Sequence, residues 1–170
     1  MPAPVLYRTA GGLAIVHALM FFVPLGVLGL AIGWPANLDL PAAHNLPLML
    51  SHAAQVSLGY SVYLLYSLLF FPVMLLISRA LSGKDELPLL LKLAVGFALL
   101  STLARCLGIL RWLTVMPVLA EQYQSADPAG RSIISVLYTA FNAYAGGVGE
   151  ILGVFPVSYT HLTLPTSDLV

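Results

Sequence analysis

The stretch Gly11–Trp34, GGLAIVHALMFFVPLGVLGLAIGW, contains no charged side chain. A helix of this length matches the hydrocarbon core of a bilayer, roughly 30 Å thick, because an α-helix rises about 1.5 Å per residue. Arg8 precedes the stretch, so a signal peptide is the alternative. The apolar region is longer than in such peptides, and no clear small-x-small cleavage pattern follows it. We therefore interpret it as an uncleaved membrane span.

The composition of the whole chain also favours a membrane protein. Its 170 residues are 59% hydrophobic and only 8% charged, whereas soluble domains carry about 25% charged residues. With zero net charge and no basic cluster, the chain lacks the phosphate contacts that nucleic-acid binding requires, so no nucleic-acid partner is expected. The single cysteine, Cys106, excludes an internal disulfide and a multi-cysteine metal site. The expected surroundings are a lipid bilayer.

Apolar stretches separated by polar segments predict an all-α bundle of about four membrane-spanning helices within a single domain, residues 1–156. The predicted spans cover about 11–34, 57–78, 88–112 and 133–156. The proline-rich segment 35–55 is typical of an external loop, with a short surface helix from Pro47 onward. The apolar run of the third span continues to Ala120, which would extend the helix, tilt it or bend it at Pro117.

Basic side chains in the short loops predict the orientation. Arg8 lies beside the first span, Arg79 and Lys84 lie in the second loop, and Arg131 lies in the third. Because loops rich in Lys and Arg stay in the cytoplasm, the N-terminus and the second loop are expected inside. The counts are small, and the reversed orientation is the alternative.

The last residues, Val157–Val170 (VSYTHLTLPTSDLV), differ abruptly from the glycine-rich apolar helix before them. Nine consecutive residues, Ser158–Thr166, resemble the translation of a sequencing-library adapter used in transposase-based tagmentation. The resemblance implies an adapter-derived tail and a native gene that continues beyond about Pro156. A genuine short C-terminal tail is the alternative.

Four charged residues lie inside or near the ends of the predicted third and fourth spans. A charge at the centre of a spanning helix costs about 2.5–3.5 kcal/mol on insertion scales, so it usually faces a partner or water. We interpret Lys92 and Arg111 as side chains that extend to the membrane surface, and Arg105 as either an anchor or a site residue. Glu150 has a shorter stem, and its predicted depth favours an ion pair with Lys92.

Glu150 also lies on a face of small and polar residues. Asn142, Gly146, Gly149 and Gly153 recur beside it at helical spacing. Small residues let a neighbouring helix approach closely, so this Gly146–Gly149–Gly153 face is a possible homo-oligomer contact. The alternatives for Glu150 are an ion pair within a tightly packed bundle and a polar cavity of the kind found in transporters.

His17, in the first span, completes the set of candidate polar residues and is most simply a packing residue. The sequence contains no nucleotide-binding, hydrolase or zinc motif, and it predicts no catalytic residue, metal site or cofactor. The favoured hypothesis is a non-enzymatic protein that binds or moves a small solute, or assembles with partners. The alternative is an intramembrane enzyme that uses Glu150 or His17 as acid–base on a lipid-like substrate.

Three segments carry a resemblance to a known family: Arg8–Gly12, Gly108–Ala120 and Gly146–Gly153. They look like a bacterial multi-pass membrane family, the domain of unknown function DUF4386. The resemblance implies a helical protein of the bacterial cytoplasmic membrane with about six spans, two of them beyond this chain. It implies no activity and no catalytic residues.

Overall fold

The computed structural model describes residues 3–82 and 86–154, which are helical and contain no strand, so the predicted all-α class is confirmed. Six α-helices are followed by a short π-helix. They are α1 (Ala3–Met20), α2 (Phe22–Ile32), α3 (Ala42–Ser51), α4 (Ala53–Ser82), α5 (Leu89–Ser125), α6 (Pro128–Gly146) and the π-helix (Gly147–Leu152).

Three stretches of the described chain are long and apolar enough to cross a membrane. They are Pro4–Ile32, formed by α1 and α2, then Ala53–Ser82 and Leu89–Ser125. Fewer than half of the residues in the most apolar part of each are buried, as expected of helices that face lipid. The predicted fourth span, about 133–156, corresponds to α6 and the π-helix. It is not among these three stretches and stays a prediction.

The long helix α5 is continuous through Pro117 and ends at Ser125, not near residue 112. Asp127 then caps α6, because its side chain accepts a hydrogen bond of 2.7 Å from the backbone N–H of Gly130. Pro128 follows at the first helical position, where its missing N–H costs nothing. The tight turn sends α6 back along α5.

The apolar core lies where α2 to α6 meet and includes Leu28, Leu46 and Met116, all fully buried. The segment predicted as an external loop with a surface helix from Pro47 is different in the structure. Its helix α3 begins at Ala42 and packs against α5 and α6. The physical reason is the burial of Leu46, because placing this side chain in the core is lower in free energy than exposing it at a membrane surface.

Polar contacts hold the loop before α3 in place. The Asn45 side-chain amide is 2.7 Å from the Tyr138 hydroxyl of α6, 2.8 Å from the Asn37 carbonyl and 3.0 Å from the Leu40 carbonyl. Asn142, also on α6, donates to the Leu38 carbonyl at 3.1 Å. These bonds fix the loop beside α6 and α5.

Candidate functional site

An ion pair between α5 and the π-helix lies at the centre of the candidate site. The Arg111 Nη2 donates to Glu150 Oε1 at 3.3 Å, with the Arg111 side chain 6% exposed and that of Glu150 67% exposed. The interpretation of Arg111 as a surface anchor was therefore wrong, and so was the expectation that Lys92 pairs with Glu150.

The position of the turn after α5 explains both errors. The third span was expected to end near residue 112, which placed Arg111 at the membrane edge and Glu150 deep, near Lys92. Because α5 continues to Ser125, the returning chain meets α5 much closer to its middle. Lys92 is exposed and lies roughly 28 Å along α5 from Arg111.

A close backbone contact between two glycines sets the position of Glu150. A Cβ atom on Gly149 would lie 2.8 Å from the Gly108 Cα, and one on Gly108 would lie 2.6 Å from the Gly149 Cα. The π-helix contains Gly149 and Glu150. Single π-helical turns within helices are frequent at functional sites. The contact brings the carboxylate next to α5.

The small-residue face predicted from the sequence is packed within the chain. Gly146 faces the Arg111 guanidinium, Gly149 faces Gly108, and Gly153 faces the stem of Arg105. A homo-oligomer through this face, as the sequence suggested, would compete with that packing. Homo-oligomerisation stays a prediction, without a surface assigned to it.

Arg105 is half-buried and covers aromatic rings of α4. Its guanidinium carbon is 5.0 Å from the centre of the Tyr66 ring and 5.6 Å from that of Phe70. His17 stacks on the same Tyr66 ring at 4.2 Å, and its Nε2 is 3.0 Å from the Tyr66 carbonyl oxygen. His17 thus connects α1 to α4, in agreement with a packing role.

A cavity of about 430 Å³ adjoins the ion pair, and it is called the main cavity for its charged lining and not for its size. Its charged lining residues are Arg105, Arg111 and Glu150, and its aromatic lining residues are Trp34, Tyr60, Tyr63 and Trp112. The Tyr60 and Trp112 rings stack almost parallel, 5.2 Å apart. The Arg111 guanidinium carbon lies 5.2 Å from the Trp112 ring. The main cavity therefore combines aromatic walls with two cations and one carboxylate.

Two of these lining residues carry buried polar atoms without a hydrogen-bond partner. They are the hydroxyl of Tyr60, which is 1% exposed, and the Nε of Arg111. Leaving a buried donor unsatisfied costs about 1–3 kcal/mol, so such atoms are uncommon in folded proteins. Both residues line the main cavity, so hydrogen-bonding capacity that the described chain does not use lies beside it.

A second cavity of about 480 Å³ also adjoins the ion pair. Arg111, Glu150 and Leu38 line both cavities. Asp39 and Asn142 line the second cavity only, and the side-chain oxygen of Asn142 is buried without a partner. The expected proximity of Asn142 and Glu150 is thus observed at this cavity.

The structure places three of the five candidate polar residues at the cavities, namely Glu150, Arg105 and Asn142. His17 and Lys92 line neither. Sequence reasoning did not predict that Arg111 and Tyr60 line a cavity. The signal for Arg111 was available, because the apolar run continues well past it to Ala120.

The comparisons with known proteins give one match. The model of the family described as "Domain of unknown function (DUF4386)" matches residues 9–164. No curated protein and no solved structure matches the chain. The matched region extends into the segment 157–170 that resembles an adapter. That segment lies outside the described residues, and its origin stays a prediction. Because the match covers most of the sequence, the chain belongs to the DUF4386 family, whose function is unknown.

Proposed function

We propose that this chain is an integral membrane protein that binds a small solute in the main cavity. The observation that carries the proposal is the pair of buried, unpartnered polar atoms, the Tyr60 hydroxyl and the Arg111 Nε, on residues that line this cavity. Neither atom is accessible in the present arrangement, so a bound solute with polar groups would become its partner through a shift of the Tyr60 or Arg111 side chain.

The size and chemistry of the main cavity support the same proposal. Its volume of about 430 Å³ lies within the range of about 300–1,000 Å³ that is common for small-molecule sites. Such sites are mostly apolar with a few convergent polar groups. Four aromatic side chains line this cavity, and Arg105, Arg111 and Glu150 supply the polar groups.

The membrane setting is part of the proposal. Because the family resemblance implies it, we propose that the chain is a multi-pass protein of the bacterial cytoplasmic membrane. The positive residues in its loops favour a cytoplasmic N-terminus. The enzymatic alternative has less support, because His17 contacts Tyr66 and does not line the main cavity.

Solute binding can be tested without knowing the ligand. Leu38 is half-buried and lines both cavities, so Leu38→Trp adds bulk where a solute would sit. Leu30→Trp is the matched control, since Leu30 is 92% exposed on α2. Small molecules that co-purify with each detergent-solubilised protein are identified by mass spectrometry.

We expect a compound retained in near-stoichiometric amount by the unsubstituted protein and by Leu30→Trp, and lost from Leu38→Trp. Identical sets of bound compounds in all three proteins would contradict solute binding in the main cavity.

A further inference from the structure

The contact between Arg111 and Glu150 is weak for an ion pair. Its single hydrogen bond is 3.3 Å long, whereas charge-assisted N–H···O bonds are about 2.7–2.9 Å. The Arg111 Nε has no partner, and the Glu150 side chain is two-thirds exposed. Arg111 therefore keeps an unused donor, and most of the Glu150 side-chain surface is not covered by the described chain.

The charges that line the main cavity favour an anion. Arg105 and Arg111 are two cations against the one carboxylate of Glu150, which leaves one positive charge in excess. This excess of positive charge becomes two when Glu150 moves away from Arg111 and out of the main cavity. A guanidinium binds carboxylates and phosphates through two parallel hydrogen bonds, a geometry that Glu150 does not use here.

The aromatic walls favour an apolar body on the same molecule. Trp34 and Tyr63 pack edge to face with ring centres 5.6 Å apart, and Trp112 lies beside Arg111. Rings of this kind bind hydrocarbon surface. Cationic and apolar lining groups thus occur together in one cavity.

From this arrangement we infer that the main cavity binds an amphiphile with a single anionic head group. The head group displaces Glu150 from the Nη2 of Arg111. The apolar part lies against Trp34, Tyr63 and Trp112. This inference rests on the proposed solute-binding function and assigns the class of solute. The same head-group chemistry is present in a free single-chain carboxylate and in an anionic phospholipid.

Intrinsic fluorescence provides the test, because the chain has two tryptophans and both line the main cavity. The full chain is placed in phosphatidylcholine nanodiscs and titrated with three bromine-labelled quenchers that share one tail. These probes are ω-bromodecanoate, ω-bromodecanol and ω-bromodecylamine, which are anionic, neutral and cationic. Saturable quenching gives a Kd for each.

We expect the anionic probe to bind at least about tenfold more tightly than the neutral one, since hydrogen bonds to charged groups have this order of strength. Glu150→Gln removes the competing carboxylate and should lower the Kd of bromodecanoate several-fold, and by more than that of bromodecanol. Arg111→Gln should remove the preference for the anion.

Arg105→Gln is a second variant that does not depend on replacing a buried residue, because Arg105 is half-buried. It should weaken the binding of bromodecanoate more than that of bromodecanol. Nanodiscs that also contain phosphatidylglycerol distinguish a free single-chain carboxylate from an anionic phospholipid as the bound amphiphile. Competition by this lipid assigns the site to an anionic phospholipid, and an unchanged Kd assigns it to a free carboxylate.

Equal Kd values for the three probes, or an unchanged bromodecanoate Kd in Glu150→Gln, would overturn the anionic assignment. Solute binding itself would still stand if bromodecanol quenches saturably and Leu38→Tyr, which adds bulk without a further tryptophan, abolishes that quenching. Loss of saturable quenching for every probe would refute the binding of an anionic amphiphile. The mass-spectrometric comparison of Leu38→Trp with Leu30→Trp would then decide solute binding separately.

Discussion

Tyr60 combines a fully buried ring, stacked on Trp112, with a hydroxyl that has no hydrogen-bond partner. Tyr138 is its counterpart, equally buried, with a hydroxyl that contacts the Asn45 amide at 2.7 Å. Removing an unsatisfied buried polar group relieves its desolvation cost, whereas removing a satisfied one loses a bond and leaves its partner unpaired. The two tyrosines should therefore respond in opposite ways to the same substitution.

In the solute-free protein, Tyr60→Phe should leave the free energy of unfolding unchanged or raise it by up to about 1 kcal/mol. Tyr138→Phe should lower it by about 1–3 kcal/mol. Reversible unfolding in mixed detergent micelles measures both. A loss for Tyr60→Phe as large as that for Tyr138→Phe would mean that the Tyr60 hydroxyl has a partner.

The sequence identified Glu150 as a candidate residue but not its partner. A carboxylate in an apolar stretch is conspicuous by composition alone, and its short stem excludes an easy route to the surface. Its partner depends on where the preceding turn falls. Helix ends are the least certain part of a sequence-based prediction, and a shift of the α5 end from about residue 112 to Ser125 changes which cation Glu150 meets.

The packing of α5 on the π-helix depends on two glycines, Gly108 and Gly149. A Cβ on Gly149 would approach backbone of α5, which cannot move aside as a flexible side chain can. Gly147 belongs to the same π-helix but has open space where its Cβ would be. This pair allows a matched comparison within one element.

Gly149→Ala should destabilise the protein by about 1–3 kcal/mol, the usual cost of overpacking. Gly147→Ala should be neutral or stabilising by up to about 1 kcal/mol, because alanine favours a helix more than glycine does. The shift in thermal unfolding midpoint of each purified variant provides the measurement. Equal shifts for the two alanine variants would argue against close packing at Gly149.

The sequence predicted the Gly146–Gly149–Gly153 face but not the surface that covers it. Glycine spacing indicates that another helix approaches closely, yet it does not distinguish a helix of the same chain from one of a second copy. The π-helix had no sequence signal beyond its glycines. The start of helix α3 and its place in the core were mispredicted for a related reason. Proline-rich polar segments favour loops, and Pro41 and Pro47 obscured a helix that begins at Ala42 and that the core stabilises.

For the whole molecule, composition alone predicted the helical class and the membrane setting, because few charges and long apolar runs are incompatible with a water-exposed surface. The arrangement of the helices was harder to predict. It depends on contacts such as the hydrogen bond between Asn45 and Tyr138, which are 93 residues apart in the sequence.

The orientation of the chain yields the last prediction. Helix α5 has 37 residues and is about 55 Å long, so it extends beyond a hydrocarbon core of about 30 Å. Its ends should therefore be accessible from opposite sides. Glu86, before α5, and Ser125, its last residue, are both exposed, while Cys106 is buried. In a Cys106→Ala background, Ser125→Cys should react with a membrane-impermeant maleimide added to intact cells, and Glu86→Cys should react only after permeabilisation. The reverse pattern would establish the opposite orientation, and labelling of both cysteines from one side would show that α5 does not cross the membrane.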